Sequence, residues 1–135
     1  AYWVEGDRFS NAYLETMAFF FAHLLLDVSP SSILPQGEVI LRYVLPEAYG
    51  IFKSKLLSDE KRLKKQQLSL QFSPQTVEFQ KPMVAELTGT VSSYVGARKL
   101  SQHQESYRVV FVQRKGRLFL EGFELIQSQG EINDE

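Results

Sequence analysis

The hydrophobic period of this chain changes once, at Leu68, and that change limits what it can fold into. Before Leu68 apolar residues recur at three- and four-residue steps, the spacing of a helix that buries one face. After Leu68 they alternate, the spacing of a strand covered on one side. Helices gathered in the first half and strands in the second imply an α+β architecture, with helices packed against an antiparallel sheet.

The first helix is expected from about Ser10 to Leu26, capped by Ser10 or Asn11. Phe9, Tyr13, Met17, Phe20, Phe21, Leu24 and Leu25 give it a wide apolar face, which Ala18, Phe19 and Ala22 extend almost around. A helix this apolar is central in its domain or covered by a partner. After a loop over Asp27–Ser32, a second helix is expected from Pro35 to Val44, burying Val39, Ile40, Tyr43 and Val44. A third runs from Pro46 to about Gln67, with Ile51, Phe52, Leu56, Leu63 and Tyr49 as its inner stripe. It ends in a basic turn, which suits the negative pole of a helix.

The alternating half divides into four strands. Leu68, Leu70 and Phe72 start the first, and Pro74 interrupts it before Thr76–Phe79, which marks an edge or bent strand. In Met83–Val95 the residues Met83, Ala85, Leu87, Gly89, Val91 and Val95 share one face; Glu86, Thr88, Thr90 and Ser92 share the other. A turn over Gly96–Lys99 leads to a strand from His103 to Arg114, and Lys115-Gly116 is a tight hairpin signal before Leu118–Ile126. Strands of about 12 residues, against the usual five or six, imply curvature, and Gly89 and Gly122 are the natural bends. The expected organisation is a flexible segment over 1–8, one α+β domain over 9–127 and a frayed polar tail over 128–135.

Charge and chemistry narrow the function by exclusion. The net charge of -1 lacks the positive bias that phosphate-binding proteins need. The chain has no cysteine and only two histidines, so disulfides, thiolate metal sites and cysteine nucleophiles are excluded, and His23 and His103 form no paired metal motif. No phosphate-cradling glycine loop or nucleophile elbow occurs. Glu86, Glu121 and Glu124 lie on strands, and each is expected on a solvated face. His23 is expected at the margin of the core, bonded to a backbone carbonyl, and His103 exposed near a turn. The longest apolar run, Met17–Leu26, is about half the roughly 20 residues that a membrane helix needs. No catalytic set, cofactor site or metal site follows from the residues.

The segments Tyr13-Leu14-Glu15-Thr16-Met17-Ala18, Asp27-Val28-Ser29-Pro30 and Leu41-Arg42-Tyr43-Val44-Leu45-Pro46-Glu47-Ala48, followed by a lysine-rich helix and then strands, resemble the TraE family of conjugative type IV secretion proteins, counterparts of the VirB-eight assembly factors. The resemblance runs from about Phe9 to Ile126. It implies a cone similar to nuclear transport factor 2, helices lining a curved four-stranded antiparallel sheet. It also implies a periplasmic domain of a bacterial inner-membrane protein, anchored by a segment ahead of Ala1. The implied role is structural, in channel and pilus assembly and plasmid transfer, with contacts to other secretion components, possible self-association, no catalysis and no direct nucleic acid. The wider VirB-eight group carries an Asn-Pro-x-Gly turn where this chain reads Leu120-Glu121-Gly122-Phe123, so that group's dimer interface does not transfer. Tyr49, Phe52, Lys61, Arg62 and Lys65 are the candidate partner-binding residues. The alternative function is a small-molecule-binding or enzymatic cone-fold protein, an isomerase or dehydratase with an inward carboxylate or tyrosine.

Overall fold

The structure is a computed structural model that describes residues 4–5 and 8–131. Its elements run β1 (Val4–Glu5), β2 (Arg8–Phe9), α1 (Asn11–Leu26), α2 (Ile33–Leu41), a 3-10 turn (Pro46–Ala48), α3 (Tyr49–Gln66), β3 (Leu68–Lys81), β4 (Val84–Val95), β5 (Arg98–Arg114) and β6 (Arg117–Glu131). Three helices precede a four-stranded antiparallel sheet of order β3-β4-β5-β6, the division that the change of period implies. Val4–Glu5 pairs with Arg8–Phe9 in the stretch expected to be flexible; Tyr2, Trp3, Gly6 and Asp7 lie outside the described residues. At the other end β6 continues through Glu131, beyond the expected Ile126, and 132–135 lie outside the described residues.

Local chemistry explains the helix limits. Ser10 is extended and its Oγ accepts from the Tyr13 N–H at 3.1 Å, the first-turn cap that starts α1. The second helix begins and ends earlier than expected. Ser29 N–H donates to Ser32 Oγ at 2.8 Å and Ser32 N–H to Ser29 Oγ at 3.2 Å, closing a turn that feeds directly into Ile33. Pro35 then sits in the first turn, where its missing N–H costs nothing. The helix stops at Leu41 because Tyr43 and Val44 are drawn to the sheet: Leu120 N–H donates to Tyr43 O at 2.7 Å and Val44 bridges Leu120 in parallel. The third expected helix is split, since Leu45 before Pro46 is extended and Pro46–Ala48 forms a separate 3-10 turn. Gln67 closes α3 in the left-handed conformation, its N–H on the Leu63 and Lys64 carbonyls.

The core lies between the helices and one face of the sheet. Leu14, Phe21, Ile40, Leu63, Leu87, Val109 and Leu120 are its largest fully buried side chains. Phe21 packs on Tyr43 at 5.1 Å and on Phe111 at 6.2 Å, ring centre to ring centre, so the apolar excess of α1 is largely spent on the core. Gly37 lets α2 approach α3 closely, because a Cβ there would stand 2.6 Å from a Leu56 methyl. Of the residues expected to face inward on α3, Leu56 and Leu63 are buried and Phe52 is half-buried, but Ile51 is 77% exposed. Five residues separate Ile51 from Leu56, which does not fit one face of a 3.6-residue turn.

The sheet alternates as expected, with Ala85, Leu87, Gly89 and Val91 facing the core. Met83 departs from the expected strand: it sits in the Pro82-Met83 turn with φ 67°. Two of the sheet's register shifts fall beside the strand glycines, and others lie elsewhere along the strands. Pairing steps from Pro74↔Gly89 to Thr76↔Thr88, leaving Gln75 as an extra residue, and from Val110↔Gly122 to Phe111↔Leu120, leaving Glu121 extra. β3 is indeed an edge strand. At Gly89 the absent side chain has a use, because the Phe72 ring lies over it and a Cβ would meet that ring at 2.5 Å and Ser73 O at 2.6 Å. At Gly122 a Cβ would meet only Val110, at 3.9 Å.

Two predictions follow from these contacts. Gly89→Ala should cost about 1–3 kcal/mol through overpacking, whereas Gly122→Ala should shift stability by less than about 1 kcal/mol. Urea denaturation of the two variants checks the contrast, and equal losses would rule out the ring-over-glycine account. Asp27→Ala should cost about 1–3 kcal/mol, because it leaves the Phe72 N–H without its carboxylate acceptor at 2.5 Å; the same denaturation series measures it.

Candidate partner-binding surface

The third helix brings three of the five candidate residues together. It carries six basic and two acidic residues. Lys53 donates to Glu38 at 2.5 Å, Lys55 pairs with Asp59 at 3.1 Å, and Lys64 with Glu60 at 3.0 Å. Lys61, Arg62 and Lys65 make no ion pair among the described residues and are exposed. Steps of one, three and four residues put them on one side of the helix, opposite Leu56 and Leu63. Hydrogen bonding to Glu38 holds the Lys53 ammonium above its usual value, against a smaller opposing effect of burial. That cation is therefore committed to the α2–α3 contact.

Tyr49 and Phe52 do not join this group. Phe52 leans into the core and Tyr49, 44% exposed, stands at the start of the helix on another side. Exposed Ile51, with Ser54 and Ser58, shares the cationic side by helical spacing instead. Sequence reasoning missed Ile51 by counting it as core; its five-residue offset from Leu56 was the available signal.

The N-terminal end of this segment is tied to the sheet by a two-pronged pair. Arg114 donates to Glu47 at 3.1 and 2.8 Å. The Arg114 hydrogen bond holds the Glu47 carboxyl below its usual value, and the guanidinium is correspondingly raised. Because the folded value lies below the unfolded one, the pair's contribution is present above the ordinary carboxylate range and fades as pH falls through the lowered value. Both groups are open to solvent, so the contribution is small.

The remaining candidates sit elsewhere. Glu86 accepts from Gln80 at 3.1 Å and Glu124 from Arg108 at 2.7 Å; Glu121 is exposed. His23 is exposed and its Nδ1 contacts the Asp27 carboxylate, not a backbone carbonyl. The four-residue step on the last turn of α1 allows that pairing. His103 also departs from expectation: β5 starts at Arg98, so the residue lies mid-strand between Val91 and Glu131, half-buried, with Nδ1 buried and unbonded. Two residues along the same face, Glu105 accepts from the Tyr107 hydroxyl at one oxygen and from Ser128 at the other, 3.3 Å away. Burial first, then the Glu105 contact, pushes the Tyr107 phenol up. No group of three histidine, aspartate or glutamate side chains suited to a metal occurs among the described residues. A cleft of about 300 Å³ lies between Phe9 and Asn11 on one side and the Phe79–Met83 turn on the other, and none of the five partner-binding candidates lines it.

Comparison with known proteins bears on this arrangement. The chain is 26% identical over 125 residues to the protein TraE of Escherichia coli strain K12, covering 92% of this chain and 63% of that relative. A second protein TraE from Escherichia coli matches with the same identity and coverage. The chain therefore spans just under two thirds of the length of these relatives. A family model described as TraE protein matches residues 1–125, nearly the whole helix-and-sheet body, and on that extent the chain belongs to the TraE family.

Proposed function

We propose that this chain is a structural component of a conjugative type IV secretion system, serving channel and pilus assembly through protein–protein contacts. Family membership carries the link to conjugative transfer. We place the domain in the periplasm, held at the inner membrane by a segment outside this sequence; no helix among the described residues is long and apolar enough to cross a membrane. The nuclear-transport-factor-2-like cone is part of the same reading, supported by three helices lying against one face of a bent four-stranded sheet. Self-association and contacts with other secretion components belong to it as well.

The observation that supports a docking role is the set of cations Lys61, Arg62 and Lys65, without an ion pair among the described residues, on the solvent side of a helix whose other side is fixed by Leu56 and Leu63. Burying a partner's acidic group against them needs no core residue to move. The enzyme alternative needs a deep pocket with an available inward carboxylate. Here the space between helices and sheet is filled by Leu14, Phe21, Ile40, Leu87, Val109 and Leu120, and both oxygens of inward-facing Glu105 are engaged.

Deletion of the gene should abolish DNA transfer from donor cells, and transfer at wild-type frequency in its absence would overturn the reading. Reversal of Lys61 and Arg62 to glutamate should weaken binding of partner secretion components by about tenfold or more while leaving the urea midpoint nearly unchanged, because rim charges act on association and exposed positions tolerate substitution. Pull-down beside denaturation separates the two effects.

A further inference from the structure

The two edges of the four-stranded sheet are finished differently near the helices, β3 being met as far as Phe72 while its Thr76–Lys81 half has no backbone partner on that side among the described residues. Along β3, Val28 N–H donates to Leu70 O at 3.1 Å and Leu70 N–H to Val28 O at 2.8 Å, and the Asp27 carboxylate takes the Phe72 N–H at 2.5 Å. Pro74 has no N–H, and Gln75 bulges. Among the described residues the outer side of β6 is met only at Leu120, by Tyr43 and Val44. From Gly122 to Gln129 no backbone hydrogen bond reaches that side among the described residues.

An unpaired strand edge is a template for another strand, and proteins usually blunt it with charge or cover. Leu125 through Gln129 carry no charge, and Leu125 and Ile126 are 51% and 38% exposed. Phe123 and Leu125 pair with Val109 and Tyr107 on the core-facing side of the sheet, and the Phe123 ring stands 5.1 Å from that of Tyr107. An apolar ledge thus runs along the open edge.

We propose that this edge of β6 accepts an extended segment of a partner protein by strand addition, with aliphatic side chains over Phe123 and Leu125 and a basic residue toward Glu121. Backbone bonds supply affinity in such a mode, and alternate side chains supply selectivity. Three features favour a peptide over a second copy of this chain. The open stretch is roughly eight residues, or about 27 Å, and two folded bodies joined only there fall short of the roughly 800 Å² per partner of a stable interface. Ile126 is an extra residue in the middle of the stretch, so a symmetric pair would set bulge against bulge, where a flexible segment follows the bend. A copy would also bring a second Glu121 to an edge that already carries one, Glu124 being paired with Arg108.

This inference goes beyond the transfer role and is tested without it. The probe is an acetylated peptide of about nine residues alternating valine and threonine, with lysine at both ends, and a twin ended in glutamate. Amide hydrogen exchange of the intact chain should slow by about tenfold over residues 122–129 with the lysine-ended peptide and by several-fold less with its twin, while β3 stays unchanged. Leu125→Lys, at an exposed position, should lose the protection and keep the wild-type circular dichroism spectrum. Absence of slowing with both peptides overturns the proposal. So does protection of 122–129 that rises with the concentration of the chain alone, which would mean that a second copy covers the edge.

Discussion

Two backbone seams join the helical half to the sheet, one at Leu120, which meets Tyr43 and Val44, and the other where the chain leaving α1 pairs with β3. Val28 and Leu70 exchange two backbone hydrogen bonds, and the neighbouring Asp27 carboxylate accepts the Phe72 N–H while also meeting His23. Gln36 then donates to the His23, Leu24 and Asp27 carbonyls, satisfying the end of α1 from the start of α2. This seam sets the position of Phe72, whose ring covers Gly89. The cover of one edge of the sheet over Leu70–Phe72 and the placement of Phe72 over Gly89 involve the same few residues of this seam. Its strength comes from low exposure of backbone groups that would otherwise be unpaired, a loss costing about 1–3 kcal/mol each when buried.

Most of this architecture is legible in local patterns. The change of period at Leu68 separates helices from strands, Ser10 marks the start of α1, and Lys115-Gly116 takes the two left-handed residues of a tight hairpin. Pro74 signals an edge strand, and Gly89 a bend. Some errors are local, as where the Ser29–Ser32 turn starts α2 early and Pro46 splits the third helix; in others long-range partners override local preference. α2 ends at Leu41 because Leu120, far along the chain, takes the Tyr43 carbonyl. His103 lies within β5 because pairing with Val91 extends that strand well before its apolar alternation begins.

The candidate surface is less legible for a related reason. Periodicity says which side of α3 is wet, and so places Lys61, Arg62 and Lys65, but it does not say which cations are already used. That depends on Glu38 reaching across from α2 to Lys53, a contact absent from any local pattern. Tyr49 and Phe52 attract attention as aromatics beside a basic helix, yet Phe52 is drawn to the core and Tyr49 to another side.

Charge is also distributed unevenly over the whole molecule. α3 has an excess of cations while the whole chain is -1, so the rest of the molecule is net negative, with Glu121 and Glu124 on the strand at the far edge of the sheet from β3. A body charged this way experiences a turning force in the field of a partner before contact, within roughly a Debye length of about 8 Å at physiological salt. Such steering selects orientation and raises encounter rate more than it adds affinity. Under the proposed assembly role the distinction matters, since placement among several neighbours would ask for orientation first, with tight packing then formed through apolar contacts such as Ile51 on the cationic side of α3.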